Sequence, residues 1–154
     1  TQAYAALAND GVLLPVSLLK RDALPQGRRV FGAETAAIVR HMLEAVVAPD
    51  GTAPDAAVPG YRVAGKTGTV KKFGPDGYSD DRYLSIFAGM APARDPRVVM
   101  VVMLNEPRAG KFYGGQVAGP VFSRVMAETL RLLNVTPDAA IDPSLRMADA
   151  GGRR

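Results

Sequence analysis

Two apolar runs, Leu84 to Ala91 and Val98 to Asn105, lie close together in the chain, joined only by Pro92-Ala93-Arg94-Asp95-Pro96. So short a link suits an antiparallel pair of strands. Upstream, Tyr61 to Val70 reads as a third strand, and Lys71 to Arg82 as a polar connection turning at Gly74-Pro75-Asp76-Gly77. Helical segments stand on both sides of this block. Glu34 to Val47 has an apolar face of Ile38, Val39, Met42, Leu43, Val46 and Val47. Pro120 to Leu133 carries Pro120 in its first turn and a face of Val121, Phe122, Val125, Met126, Leu130 and Leu133. Strands in sequence between helices predict an α+β fold, an antiparallel sheet flanked by helices.

The remaining segments are less regular. Thr1 to Leu7 reads as the end of an Ala-rich helix stopped by Asn9-Asp10-Gly11. Val12 to Leu19, interrupted by Pro15, is expected to be extended at a sheet edge. Leu24 to Gly32, Ala48 to Gly60 and Glu106 to Gly119 read as loops. From Pro137 the periodicity ends, so the expected division is a folded portion over 1–136 and a tail over 137–154, with Ala148 to Arg154 disordered.

Composition narrows the function classes. The 154 residues suffice for one domain with its own core. The 19 Lys and Arg against 15 Asp and Glu favour an anionic partner without specifying one. The cations form no run of five, and five Phe and five Tyr provide few stacking platforms, which argues against nucleic acid. The lack of cysteine excludes disulfides and thiolate metal sites. His41, the lone histidine, reads as a solvated surface residue, and it can make neither a His-based metal cluster nor a Ser-His pair near Lys66. No metal or organic cofactor is implied. The longest apolar run, Val98 to Leu104, is too short to cross a bilayer, and no signal peptide is visible. The start at Thr1, directly inside a helical pattern, reads as a piece of a longer protein.

The chemistry concentrates in Lys66-Thr67-Gly68-Thr69. Gly60 to Thr67 satisfies G-x-x-x-x-G-K-[ST], the phosphate-binding loop pattern. That loop needs a buried strand before it and a helix opening at the Gly-Lys-Thr. The residues before are a Pro/Gly loop, and Gly68-Thr69-Val70 are poor helix formers. Val98 to Leu104 followed by Asn105-Glu106 places Asn where the magnesium-binding Asp would stand. On a strand, the same residues suit a carboxylate and an oxyanion. Lys66 supplies positive potential, Thr67 and Thr69 supply hydroxyls, and the Thr69 backbone N–H is a candidate oxyanion donor. Gly65 and Gly68 would let an extended peptide approach the strand edge. An exposed strand with an incidental Lys and two Thr fits the tetrapeptide as well.

Four stretches occur together and in order: Ala3 to Gly11, Gly60 to Thr69, Phe87 to Pro92, and Pro120-Val121-Phe122. Their combination resembles the C-terminal part of the transpeptidase domain of class B penicillin-binding proteins, within them the division-specific septal peptidoglycan D,D-transpeptidases. The resemblance runs from Thr1 to about Asp138. It implies the penicillin-binding transpeptidase and serine β-lactamase fold, and a serine acyltransferase acting on D-Ala-D-Ala stem peptides, with β-lactam antibiotics as inhibitors. It implies catalytic roles for Lys66 and Thr69, and substrate binding by Thr67, Gly68 and Thr69. Tyr83, Phe112, Tyr113 and Gly114 would form an aromatic wall and the turn that follows it, although ordinary packing would also account for these residues. The implied partners are the remainder of the same domain and the membrane proteins of the division machinery. The implied location is the periplasmic face of the inner membrane, through an N-terminal anchor outside this chain.

The nucleophile is missing from this pattern. Ser17-Leu18-Leu19-Lys20 matches S-x-x-K in form, but Pro15 and Pro25 leave no room for the helix that would stack Ser and Lys on consecutive turns. Ser79-Asp80-Asp81 is no S-x-N motif and lies downstream of Lys66. The expectation is therefore one wall of an active site, inactive by itself, with apolar surface left open where the rest of the domain packs. A β-lactam sensor or a non-catalytic division scaffold on the same fold is the alternative.

Overall fold

The computed structural model describes residues 1–23, 25–75, 77–108 and 110–139. Its centre is a three-stranded antiparallel sheet in the order β3-β4-β5, with β3 over Ala64–Gly74, β4 over Gly77–Ala91 and β5 over Val98–Asn105. Lys66 pairs with Ala88, Thr67 with Phe87, Gly68 with Ile86 and Thr69 with Ser85. Upstream stand helix α1 (Gln2–Ala8), a short ribbon of β1 (Val12–Leu13) with β2 (Arg28–Arg29), and helix α2 (Ala33–Glu44). A one-turn helix α3 (Gly114–Val117) and the long helix α4 (Gly119–Leu132) follow the sheet.

The sheet is covered on both faces, because alternate side chains of a strand point to opposite sides. On one face Phe87 meets Phe122 of α4 edge to ring, with centroids 4.8 Å apart. Met126, Leu130, Ala56 and Ala118 complete that core, with Val98, Met100, Val102 and Leu104 of β5 packed against it. On the other face Ala64, Met90 and Ala93 pack with Tyr4 and Leu7 of α1, Leu43 of α2 and Val99 of β5. The α+β layout expected from the sequence is the one observed.

Several local expectations need correction. Lys71 to Arg82 is not a connection: β3 runs on to Gly74 and β4 begins at Gly77. Polar residues form these arms because cross-strand pairs hold them, Lys71 to Asp80 at 2.7 Å and Phe73 against Tyr78 with ring centroids 5.3 Å apart. Val12-Leu13 pairs with Arg28-Arg29 in a separate ribbon rather than at the edge of the main sheet, so part of the expected loop Leu24 to Gly32 is strand. The Glu106 to Gly119 loop contains α3.

The buried face of α2 is rotated from the expected one, and that of α4 is the expected one narrowed. In α2, Ile38 and Met42 are 49% and 66% exposed, and the buried residues are Ala36 and Arg40. Arg40 tolerates burial because its guanidinium donates to the Leu7 carbonyl at 2.6 Å and to Asp10 Oδ1 at 2.9 Å. In α4, Phe122, Met126 and Leu130 are buried at a spacing of four, whereas Val125 and Leu133 are exposed. Open apolar surface thus lies on α2, on Met103 of β5 and at Leu18-Leu19.

After α4 the chain folds back on the start of β3. Tyr61 Oη donates to the Val135 carbonyl at 2.7 Å, the Arg62 amide donates to Asp138 Oδ1 at 2.8 Å, and the Ala139 amide donates to the Gly60 carbonyl at 3.1 Å. The first residues past Pro137 therefore belong to the packed body. The disorder expected for Ala148 to Arg154 lies outside the described residues.

Candidate active site

Lys66 to Thr69 sit in β3, one of the two outer strands of the sheet among the described residues. No helix opens at Gly65-Lys66-Thr67, so the phosphate-loop reading is excluded by the fold. Lys66 is exposed, and its Nζ donates to the Thr67 carbonyl at 3.2 Å and to Thr67 Oγ1 at 3.3 Å. No carboxylate among the described residues engages it.

Thr67 and Thr69 lie opposite Phe87 and Ser85, so they share the face that carries α3 and α4. The Gly114 amide donates to Thr69 Oγ1 at 3.0 Å. A hydroxyl that accepts one such bond keeps its own proton for another acceptor. Ser85, fully buried, donates its hydroxyl to the Phe112 carbonyl. These two contacts bring residues 112–114 down onto the strands carrying Lys66 to Thr69.

The aromatic residues meet as one cluster. Tyr83 stacks on Phe112 with centroids 4.2 Å apart and planes at 12°, and Phe112 lies 4.6 Å from Tyr113. Tyr113 is 56% exposed, so its ring is available to a ligand. Tyr83 Oη donates to the Asp80 carbonyl at 2.9 Å. Gly114 is needed where it stands. A Cβ there would come 2.2 Å from the Ile86 carbonyl oxygen and 2.6 Å from that of Gly68.

The loop between β5 and α3 is also held at its beginning. The Glu106 amide donates to the Tyr83 carbonyl at 2.8 Å, and Lys72 Nζ reaches Glu106 Oε1 at 2.6 Å and Asn105 Oδ1 at 3.1 Å. The hydrogen bond from Lys72, then its charge, holds the Glu106 carboxyl below the usual range, with Arg82 and Arg108 adding to the effect against the cost of burial. Asp80 is lowered in the same way by Lys71.

One expectation changes at this site, and two others hold. The space at Gly65 is not open to a ligand, because a Cβ there would meet the Phe87 ring at 2.5 Å. Gly65 serves the core. Ser17, the formal S-x-x-K serine, is exposed, and its hydroxyl donates to the Leu19 carbonyl at 2.8 Å in a stretch without helix. His41 is exposed beside Glu44 at 3.4 Å. Sequence reasoning missed Ser85, since a serine inside an apolar strand gives no local sign of the carbonyl it meets 27 residues later.

A family profile described as "Penicillin binding protein transpeptidase domain" matches residues 1–127. The chain belongs to this family. Members of known sequence include the peptidoglycan D,D-transpeptidase FtsI of Escherichia coli K12 and the probable peptidoglycan D,D-transpeptidase PenA of Neisseria meningitidis. Each is 46% identical over 136 residues, covering 88% of this chain and 23% of the relative. Among solved structures, the apo transpeptidase domain of Burkholderia pseudomallei penicillin-binding protein 3 superposes with a TM-score of 0.83 at 51% identity. That match covers 90% of this chain and 43% of the solved one. The chain thus spans about a quarter of the length of these curated family members. No helix among the described residues is long and apolar enough to cross a membrane.

Proposed function

We propose that this chain supplies one wall of the acyl-transfer site of a septal peptidoglycan D,D-transpeptidase. The observation that carries the reading is the exposed Lys66-Thr67-Gly68-Thr69 edge of β3 standing beside the Tyr83, Phe112 and Tyr113 cluster. An extended D-Ala-D-Ala stem lies along this edge as an added strand. Its terminal carboxylate takes hydroxyl hydrogen bonds from Thr67 and Thr69 in the field of Lys66, with Gly68 keeping the strand surface low between them. Tyr113 and Gly114 bound the ligand on the side of α3.

The reaction uses a serine in the part of the domain outside this chain. Its oxygen attacks the carbonyl of the penultimate D-Ala, the C–N bond breaks, and D-Ala leaves with a proton. An amine from a second stem then attacks the ester, forming the new amide and returning the proton to the serine. During each attack the Thr69 N–H donates to the developing oxyanion, a contact of a kind worth about 10²–10³ in rate. A β-lactam occupies the same groove, and its ring opening leaves the acyl group on the serine.

In this reading residues 1–136 are the C-terminal portion of the domain, and the segment that follows stays hydrogen-bonded to it as far as Ala139. The chain alone is inactive. The intact protein works at the periplasmic face of the inner membrane, tethered by an N-terminal anchor and placed at the septum by membrane proteins of the division machinery. Labelling of the intact protein with fluorescent penicillin, wild type beside Lys66→Ala and with this chain alone as control, tests the proposal. Labelling of the wild type, weak in the variant and absent from the chain alone, supports it. An unlabelled wild type overturns it in favour of a scaffold role.

A further inference from the structure

We infer that Ser85 is a positioning residue for substrate binding, acting through Phe112; the inference rests on the transpeptidase reading above. Ser85 faces Thr69 directly across β3 and β4, so both hydroxyls project from the same face of the sheet. They grip one short segment from opposite chemical sides. Ser85 donates to the Phe112 carbonyl, and the Gly114 amide donates to Thr69 Oγ1 at 3.0 Å. Between these anchors lie the backbone bonds that set where the Phe112 and Tyr113 rings point.

The location of Ser85 argues for a specific task. Among the described residues it is the one polar residue in the set of largest fully buried side chains, flanked by Leu84 and Ile86 in the strand. A buried hydroxyl is unfavourable without a partner, so its retention here is balanced by the Phe112 contact. Ser85 itself is covered and cannot touch a ligand. Phe112 transmits its effect, because it stacks on Tyr83 and leans on Tyr113, which is exposed beside the Lys66 to Thr69 edge. Without the Ser85 anchor, Gly114 is the segment's one remaining hydrogen bond to the sheet among the described residues, and the stacked rings are less firmly held beside the edge.

The test uses the intact protein and a penicillin whose acylation is followed by stopped flow, so that the initial dissociation constant and the acylation rate at saturation are separated. Ser85→Ala is expected to raise the dissociation constant about 3- to 10-fold, the range of one net hydrogen bond, with the saturating rate changed less than about twofold. In a Phe112→Ala background, Ser85→Ala is expected to add nothing further. Equal losses in both constants, additive effects of the two substitutions, or an unchanged dissociation constant in a folded Ser85→Ala protein would each overturn the assignment. Ser85→Cys, which keeps the size and a weak donor, covers the case in which alanine does not fold, and is expected to fall between serine and alanine. A wild type that is never acylated overturns the transpeptidase reading and this inference with it.

Discussion

Thr69 in the middle of β3 accepts a 3.0 Å hydrogen bond from the amide of Gly114, the first residue of α3, across 45 positions of sequence. This contact ties the strand that carries Lys66 to Thr69 to the loop that carries Phe112 and Tyr113. It also orients the Thr69 hydroxyl, since a lone pair held by the Gly114 amide leaves the proton for an outside acceptor.

Gly114→Ala breaks that contact by crowding. The added methyl would lie 2.2 Å from the Ile86 carbonyl oxygen, which is held within a paired strand and has little room to retreat. Overpacking of this kind costs about 1–3 kcal/mol. The expected outcome is a lower melting temperature together with slower penicillin acylation, read by calorimetry and by labelling of the intact protein. Unchanged values for both would mean that α3 shifts freely over the sheet.

Lys66→Ala separates function from stability. The side chain is exposed and, among the described residues, engages only the neighbouring Thr67, so its loss should change stability by no more than about 0.5 kcal/mol. On the proposed reading acylation should fall by about 10²-fold, because the positive charge assigned there to the ligand carboxylate is gone. A melting temperature matching wild type with acylation lost is the expected pair of readings.

Phe122→Ala probes the core that supports the site. Phe122 is fully buried and packs edge-on against Phe87, the cross-strand partner of Thr67. Truncation should cost about 3–5 kcal/mol through lost burial and the cavity left behind. Denaturant unfolding of the intact protein measures it, and a loss below about 1 kcal/mol would contradict the packing described.

The Lys72–Glu106 pair predicts a pH dependence. Glu106 is held below its ordinary value of 4.5, first by the hydrogen bond from Lys72. The unfolded chain therefore binds a proton at acid pH before the folded chain does. The pair's stabilisation is complete above the ordinary value and is lost as pH falls through the lower folded one. Glu106→Gln should melt below wild type at neutral pH, and the two curves should converge on acidification. A gap that stays constant with pH would exclude the carboxylate as its source.

Much of this was legible locally. β5 was read from its apolar run with the boundaries it has, Val98–Asn105, and α4 came within one residue at each end. The aromatic wall was read only through resemblance to the family, since Tyr83 and Phe112 are 29 positions apart and nothing local links them. The hairpin arms beyond Val70 are not legible locally, because Lys71-Lys72-Phe73 reads as polar until Lys71 pairs with Asp80 and Phe73 with Tyr78 across the strands.

Periodicity and turn chemistry, which act over a few residues, suffice for α2, α4, β5 and the place of the K-T-G-T tetrapeptide on a strand. Tertiary structure alone decided which face of α2 is buried, why Arg40 and Ser85 lie inside, and how the Phe112 segment comes to rest beside Thr69. A helix's apolar pattern does not specify the direction from which its neighbours approach. A polar side chain is stable in the interior only once a distant partner satisfies it, and Leu7, Asp10 and Phe112 reach theirs only when the sheet and its helices have come together.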